Sequence, residues 1–178
     1  MTAQISDRFL FNNDYYSLIG IKGGNLPTPK SFGMESEMMT TACYRGFHAL
    51  YELTEKELIL REFTLNEKNK NYIPIAGKKA VVTENFGTYE DINLIVPFTG
   101  KIRLAKDFLR EFYIHMGYQK ASAYETVYDI TIENGRVILI RNRSEEMKIK
   151  RGQFIERFHS GDLKQSIEEA FSLDMDLE

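Results

Sequence analysis

The chain has 178 residues, a mass of 20.7 kDa and a formal net charge of −3, from 23 basic and 26 acidic side chains. Hydrophobic residues make up 43% of it and charged residues 28%. These are the proportions of a folded globular protein, and they exclude a disordered or fibrous chain. The length fits one domain covering residues 1–178.

Targeting signals are missing from the sequence. The longest apolar runs, residues 137–140 and 94–96, are far shorter than the roughly 20 residues of a membrane-spanning helix. The first residues lack the basic region and apolar stretch of a signal peptide. Cys43 is the only cysteine, so no disulfide forms within the chain. Together these features predict a cytoplasmic protein without a membrane segment.

Short segments of alternating or continuous apolar residues follow one another through the first hundred positions, which is typical of strands. They cover residues 8–11, 15–21, 47–53, 58–63, 79–83, 92–96 and 98–104. Residues 20–33 and 66–79, rich in Gly, Pro or Asn, are predicted loops. This spacing predicts a mainly β fold, or an α+β fold in which β dominates. The expected arrangement is an antiparallel sandwich or a barrel-like sheet.

One segment is ambiguous. Leu104, Phe108, Phe112 and His115 recur at helical spacing, which predicts a further helix near residues 104–116. The aromatic content of the same segment suits a strand equally well.

The strongest local pattern is a hairpin at residues 124–142. Residues 124–133 alternate between two faces, and Asn134 and Gly135 form the dipeptide most typical of a two-residue hairpin turn. This turn places Ile132 opposite Val137, and Ile130 opposite Leu139. Because residues 137–140 are all apolar, we expect the second strand to be covered on both faces.

A C-terminal helix is predicted from Asp162, a capping residue with Gln165 three positions later. Its apolar stripe is Leu163, Ile167, Ala170 and Phe171. We expect this stripe to dock on the β core, and the acidic side chains of the segment to lie near the basic residues that follow the hairpin.

No motif identifies a reaction. The sequence lacks a phosphate-binding P-loop and the Rossmann glycine pattern. His48, His115 and His159 are isolated in the sequence, which leaves open whether they meet in space. Cys43 and His48 point to opposite faces of a strand unless a bulge at Gly46 intervenes. We therefore assign no catalytic residue, no cofactor and no metal ligand.

Charge is unevenly distributed. Residues 101–151 hold eleven basic and seven acidic residues, a balance of +4, whereas the remainder carries −7. The candidate interaction patch consists of Arg141, Arg143, Lys148, Lys150 and Arg151. The overall negative charge argues against a general nucleic-acid-binding protein. The sequence does not define the oligomeric state.

Three functional hypotheses remain. The absence of motifs, the ten tyrosines and the divided charge favour a protein-binding module, for example one that occludes a partner protein. The alternatives are a β-barrel that binds a small ligand, and an enzyme whose site is assembled from scattered residues. A pocket with converging polar groups and perturbed titratable residues would favour either alternative, and a flat tyrosine-rich patch would favour the module.

Overall fold

The computed structural model describes residues 2–115 and 117–157, together with Leu173 and Met175. Strands predominate, and one α-helix follows the last of them. The strands are β1 (Arg8–Phe11), β2 (Asp14–Gly23), β3 (Phe47–Leu53), β4 (Leu58–Leu65), β5 (Val81–Val82), β6 (Gly87–Tyr89), β7 (Leu94–Ile95), β8 (Gly100–Phe108), β9 (Tyr124–Glu133) and β10 (Arg136–Asn142), and the helix is α1 (Ser144–Arg157).

All ten strands belong to one sheet, in the order β10-β9-β8-β2-β1-β3-β4-β6-β5, with β7 paired to β4 outside this path. Every pair is antiparallel except β1 with β3, which is parallel. The predicted mainly β fold with a C-terminal helix is confirmed. The sheet is mixed rather than wholly antiparallel, and it does not close into a barrel. β10 ends it on one side, and β5 and β7 end it on the other.

The sheet buries apolar side chains on both faces. The main core contains Phe9 stacked on Tyr51, with ring centroids 5.0 Å apart, and includes Leu104 from β8. The next residue, Ala105, points to the opposite face and joins a smaller core with Met147 of α1. The helix therefore covers one end of the outer face, and the main core fills the inner one.

The turn between β9 and β10 has the predicted form. Asn134 and Gly135 have φ of 48° and 80°, as a type I′ turn requires. Val137 pairs with Ile132 as expected, but Ile140, not Leu139, pairs with Ile130. The predicted register is wrong beyond Val137 because a β-bulge shifts the pairing by one residue there.

The expectation that residues 137–140 are covered on both faces is also wrong. Val137 is half-buried against the main core, whereas Ile138, Leu139 and Ile140 are 57%, 59% and 45% exposed. β10 is an edge strand, and among the described strands only β9 pairs with it. A continuous apolar run suits burial on two sides, but it does not identify what would cover the strand.

The further helix predicted near residues 104–116 is not formed. Residues 104–108 complete β8, and only a short 3-10 turn, Arg110–Phe112, follows. β8 pairs with β2 on one side and with β9 on the other, so strand pairing satisfies its backbone groups. This pairing between distant segments overrides the local helical spacing.

The helix α1 contains Lys148, Lys150 and Arg151, which the sequence indicated only as members of a basic patch. Asn142 Oδ1 accepts a hydrogen bond from the Ser144 N–H, and Glu145 and Glu146 lie in the first turn, where acidic residues favour the helix dipole. The helix predicted from Asp162, and its docking, lie outside the described residues. None of the helices in the described ranges combines the length and apolarity that a membrane span requires.

Residues near the chain end contact β2. The Ile21 N–H donates to the Leu173 carbonyl at 2.7 Å, and Met175 is buried over Gly20. A Cβ at Gly20 would lie 2.5 Å from Met175 Cγ, so only glycine leaves room for this contact. β2 continues to Gly23, so the predicted loop at residues 20–33 begins in strand.

Candidate protein-binding edge

Among the described strands, the edge strand β10 carries the longest run of consecutive exposed apolar side chains. Its three consecutive side chains Ile138, Leu139 and Ile140, together with the outward backbone groups of Arg136–Asn142, are called here the β10 edge. Within the described ranges, the backbone of β10 is hydrogen-bonded only through its ladder with β9. The outward N–H and C=O groups are therefore open to another strand.

Natural edge strands are commonly blunted by shortness, charge, proline or a bulge. The strands that end the opposite side, β5 and β7, are each only two residues long. β10 has seven residues, with a bulge and two arginines, Arg136 and Arg141, but its centre is apolar. It is thus the least protected of these edge strands.

A network of charged side chains lies where β10 ends and α1 begins. Asp129 accepts hydrogen bonds from Arg103 Nε at 2.6 Å and from Arg143 Nη1 at 3.0 Å. Arg143 also donates to Glu146, on the first turn of α1. This hydrogen bond is the main cause that lowers the pKa of the Glu146 carboxyl, with Lys150 and Arg141 adding to it.

Three cations converge on one carboxylate in this network. Glu146 is shared with Lys150 Nζ at 3.6 Å and with Arg141 Nη2 at 3.9 Å, besides Arg143. We call Arg141, Arg143, Lys150 and Glu146 the basic end of β10. Among the described residues, Arg143 also pairs with Asp129, which it shares with Arg103.

The five residues of the predicted patch are divided between surface and interior. Arg141, Lys148 and Lys150 are exposed. Arg143 is only 4% exposed and holds the network together. Arg151 donates to the carbonyls of Ser122 and Tyr124, and so fastens α1 to the start of β9. Three members of the patch can therefore meet a partner directly, and two support its framework.

The environment of Cys43 is structural. The thiol is 1% exposed, and burial raises its pKa, so it stays protonated and poorly nucleophilic. Nearby, Arg45 forms a two-point ion pair with Asp7, and Asp7 Oδ1 also accepts the Ala49 N–H at 2.7 Å. Burial lowers the pKa of His48, which leaves it neutral near pH 7.

The described histidines belong to different surroundings. His48 is half-buried in β3, whereas His115 is exposed, with its ring 4.9 Å from the Tyr113 ring. His159 lies outside the described residues. Across the part of the chain that is described, no group of three or more His, Cys, Asp or Glu side chains is placed to hold a metal ion.

A cleft of about 270 Å³ lies beside the end of β2, lined by residues 21–26 and Thr28. Small-molecule sites usually measure about 300–1,000 Å³ and gather several polar groups around an apolar lining. Lys22 is the one charged residue in this lining. The cleft therefore gives less support to a ligand site than the β10 edge gives to a protein-binding site.

Comparison of the chain with protein-family models, with curated proteins and with solved structures finds no match.

The exposed side chains of β10 were missed in the sequence because an apolar run was interpreted as a buried strand. One signal was available: Asn142, Arg143 and Ser144 follow the run after a single residue, Arg141, and this Asn-x-Ser segment is typical of a strand that ends at a helix cap. It marks the end of the β region, and a terminal strand of a sheet is often an edge.

Proposed function

We propose that the protein is a protein-binding module whose contact surface is the β10 edge. The observation that carries this proposal is the exposure of three consecutive apolar side chains, Ile138, Leu139 and Ile140, on an edge strand. Contiguous exposed apolar surface on a soluble protein commonly marks an interaction site.

Strand addition is the binding mode that this surface supports. An extended segment of a partner would pair with the outward backbone groups of β10, and its side chains would contact Leu139 on one face of the sheet and Ile140 on the other. The exposed Arg141, Lys148 and Lys150 would form a polar rim. Such pairing would also occlude the partner's segment. The single cysteine is consistent with a reducing, cytoplasmic environment for this interaction.

A displayed peptide library, selected against the immobilised protein, tests this proposal. We expect the selected peptides to bind the wild-type chain and to lose binding to a Leu139→Lys variant, since a lysine on the apolar run opposes strand addition. Fluorescence polarisation with synthetic copies of the selected peptides measures the affinity.

Val82→Lys is the matched control, because Val82 is 54% exposed on the opposite edge strand β5. This variant should bind the selected peptides as the wild type does. Binding that survives Leu139→Lys, or that is lost only in Val82→Lys, would contradict the proposal. Circular dichroism of both variants verifies that the sheet is intact.

A further inference from the structure

The basic end of β10 constrains what the strand can bind. We propose, on the basis of the function proposed above, that the partner is an extended apolar segment with acidic residues at the end that lies beside Arg141. The inference rests on the position of the charges relative to the apolar run, and it goes beyond the binding mode to the chemistry of the partner.

The first step concerns the two ends of the strand. Arg136 lies directly opposite Glu133 of β9, which places an acidic residue beside it. Arg141 is 63% exposed and belongs to the basic end, where three cations share Glu146. In the part of the chain that the structure describes, positive charge is therefore concentrated at the Arg141 end of the β10 edge.

The second step concerns a second copy of this chain as the occupant. Antiparallel pairing of two β10 strands, centred on residues 138 and 139, places Arg136 of one copy opposite Arg141 of the other, and does so twice. Like charges directly opposite each other destabilise a sheet. Self-pairing on this register is thus disfavoured, and a strand with carboxylates in place of these arginines is favoured.

The third step concerns the apolar centre. Leu139 and Ile140 project from opposite faces of the sheet, because their partners on β9 are the adjacent residues Thr131 and Ile130. An added strand would therefore contact apolar side chains on both faces. Its central residues must be apolar themselves for this contact to remove water from both surfaces.

Two synthetic peptides test the inference. Both have the same four-residue apolar centre, one flanked by glutamates and the other by lysines. We expect the glutamate-flanked peptide to bind about three- to tenfold more tightly at low salt, in line with a few exposed ion pairs. The difference should shrink as the salt concentration rises.

Charge reversal at the basic end supplies the decisive comparison. In the double variant Arg141→Glu/Lys150→Glu, the preference should invert in favour of the lysine-flanked peptide. The control is Lys30→Glu. Lys30 is exposed in the segment between β2 and β3, outside the polar rim, and makes no ion pair among the described residues, so the preference should be retained. Thermal unfolding followed by circular dichroism verifies that each variant is folded.

The outcomes separate this inference from the proposed function. Equal binding of both peptides, lost in Leu139→Lys, would retain the β10 edge as a binding site and overturn the acidic partner. Failure of both peptides to bind, while selected library peptides do bind at β10, would likewise overturn it. A concentration-dependent dimer, dissociated by Leu139→Lys in size-exclusion chromatography, would identify a second copy as the occupant instead.

Discussion

At the scale of single residues, the turn at Asn134 and Gly135 determines how the β10 strand leaves the sheet. Both residues have positive φ, a region that β-branched side chains strongly avoid. The Gly135 N–H donates to the Phe98 carbonyl at 2.8 Å, so the turn is also fastened to the chain that precedes β8. A Cβ at Gly135 would lie 3.0 Å from the Val96 carbonyl oxygen.

Replacing Gly135 with Val should therefore lower the free energy of unfolding by about 2 kcal/mol or more, from backbone strain together with crowding at Val96. Gly77→Val is the matched control, because Gly77 has φ of 78° but open space around a Cβ. Its free energy of unfolding should fall only by the cost of the backbone strain. Denaturant unfolding measures both losses. An unchanged stability of Gly135→Val would be incompatible with the turn described above.

This turn could be predicted because two adjacent residues determine it. The bulge that follows at Ile138 could not, because it depends on how β9 and β10 adjust to the rest of the sheet rather than on their own side chains. The same distinction applies to Arg143. Its charge is evident in the sequence, but its burial between Asp129 and Glu146 depends on three separate elements.

At the scale of elements, the short strands were predicted well because alternation is a local property. β1 and β3 have the predicted bounds, and β4 extends the predicted strand at residues 58–63 by two residues. Helical spacing near residues 104–116 was misleading, since two neighbouring strands pair with that segment. The helix α1 was missed because half of its 14 residues are charged and only four, Met147, Ile149, Phe154 and Ile155, are apolar.

Two apolar side chains of α1, Met147 and Ile149, offer a direct comparison of packing. Met147 is 3% exposed in the smaller core, whereas Ile149 is 66% exposed. Met147→Ala should lower the free energy of unfolding by about 2–3 kcal/mol, through lost contacts and the cavity left behind. Ile149→Ala on the same helix should change it by less than about 0.5 kcal/mol. Thermal or denaturant unfolding distinguishes them, and similar losses from both would mean that α1 does not dock through Met147.

At the scale of the whole molecule, the fold buries phenol groups in several parts of the sheet. Burial is the main cause that raises the pKa of Tyr16, Tyr118 and Tyr124, and it raises that of Tyr51 well above its usual value. It raises the pKa of Tyr89 to about 12, and the Tyr89 hydroxyl donates to the Ile73 carbonyl at 2.7 Å. These phenols are held in their neutral form by the folded structure.

A raised pKa in the folded state means that the folded chain retains protons that the unfolded chain releases. The contribution to stability is therefore complete below about pH 10, and it is lost as the pH rises through about 12, the folded pKa of Tyr89. We expect the free energy of unfolding to fall across this interval, and the tyrosinate absorbance of these buried phenols to appear together with unfolding. In Tyr89→Phe, the alkaline fall should be shallower, although loss of the hydrogen bond to Ile73 lowers stability by about 1 kcal/mol at neutral pH. Tyr15→Phe, at a side chain that is 58% exposed, should leave the alkaline profile unchanged. Denaturant unfolding at a series of alkaline pH values measures the free energy of unfolding of the wild type and the two variants. If it falls identically with pH in Tyr89→Phe and in the wild type, ionisation of this buried phenol does not contribute to alkaline unfolding.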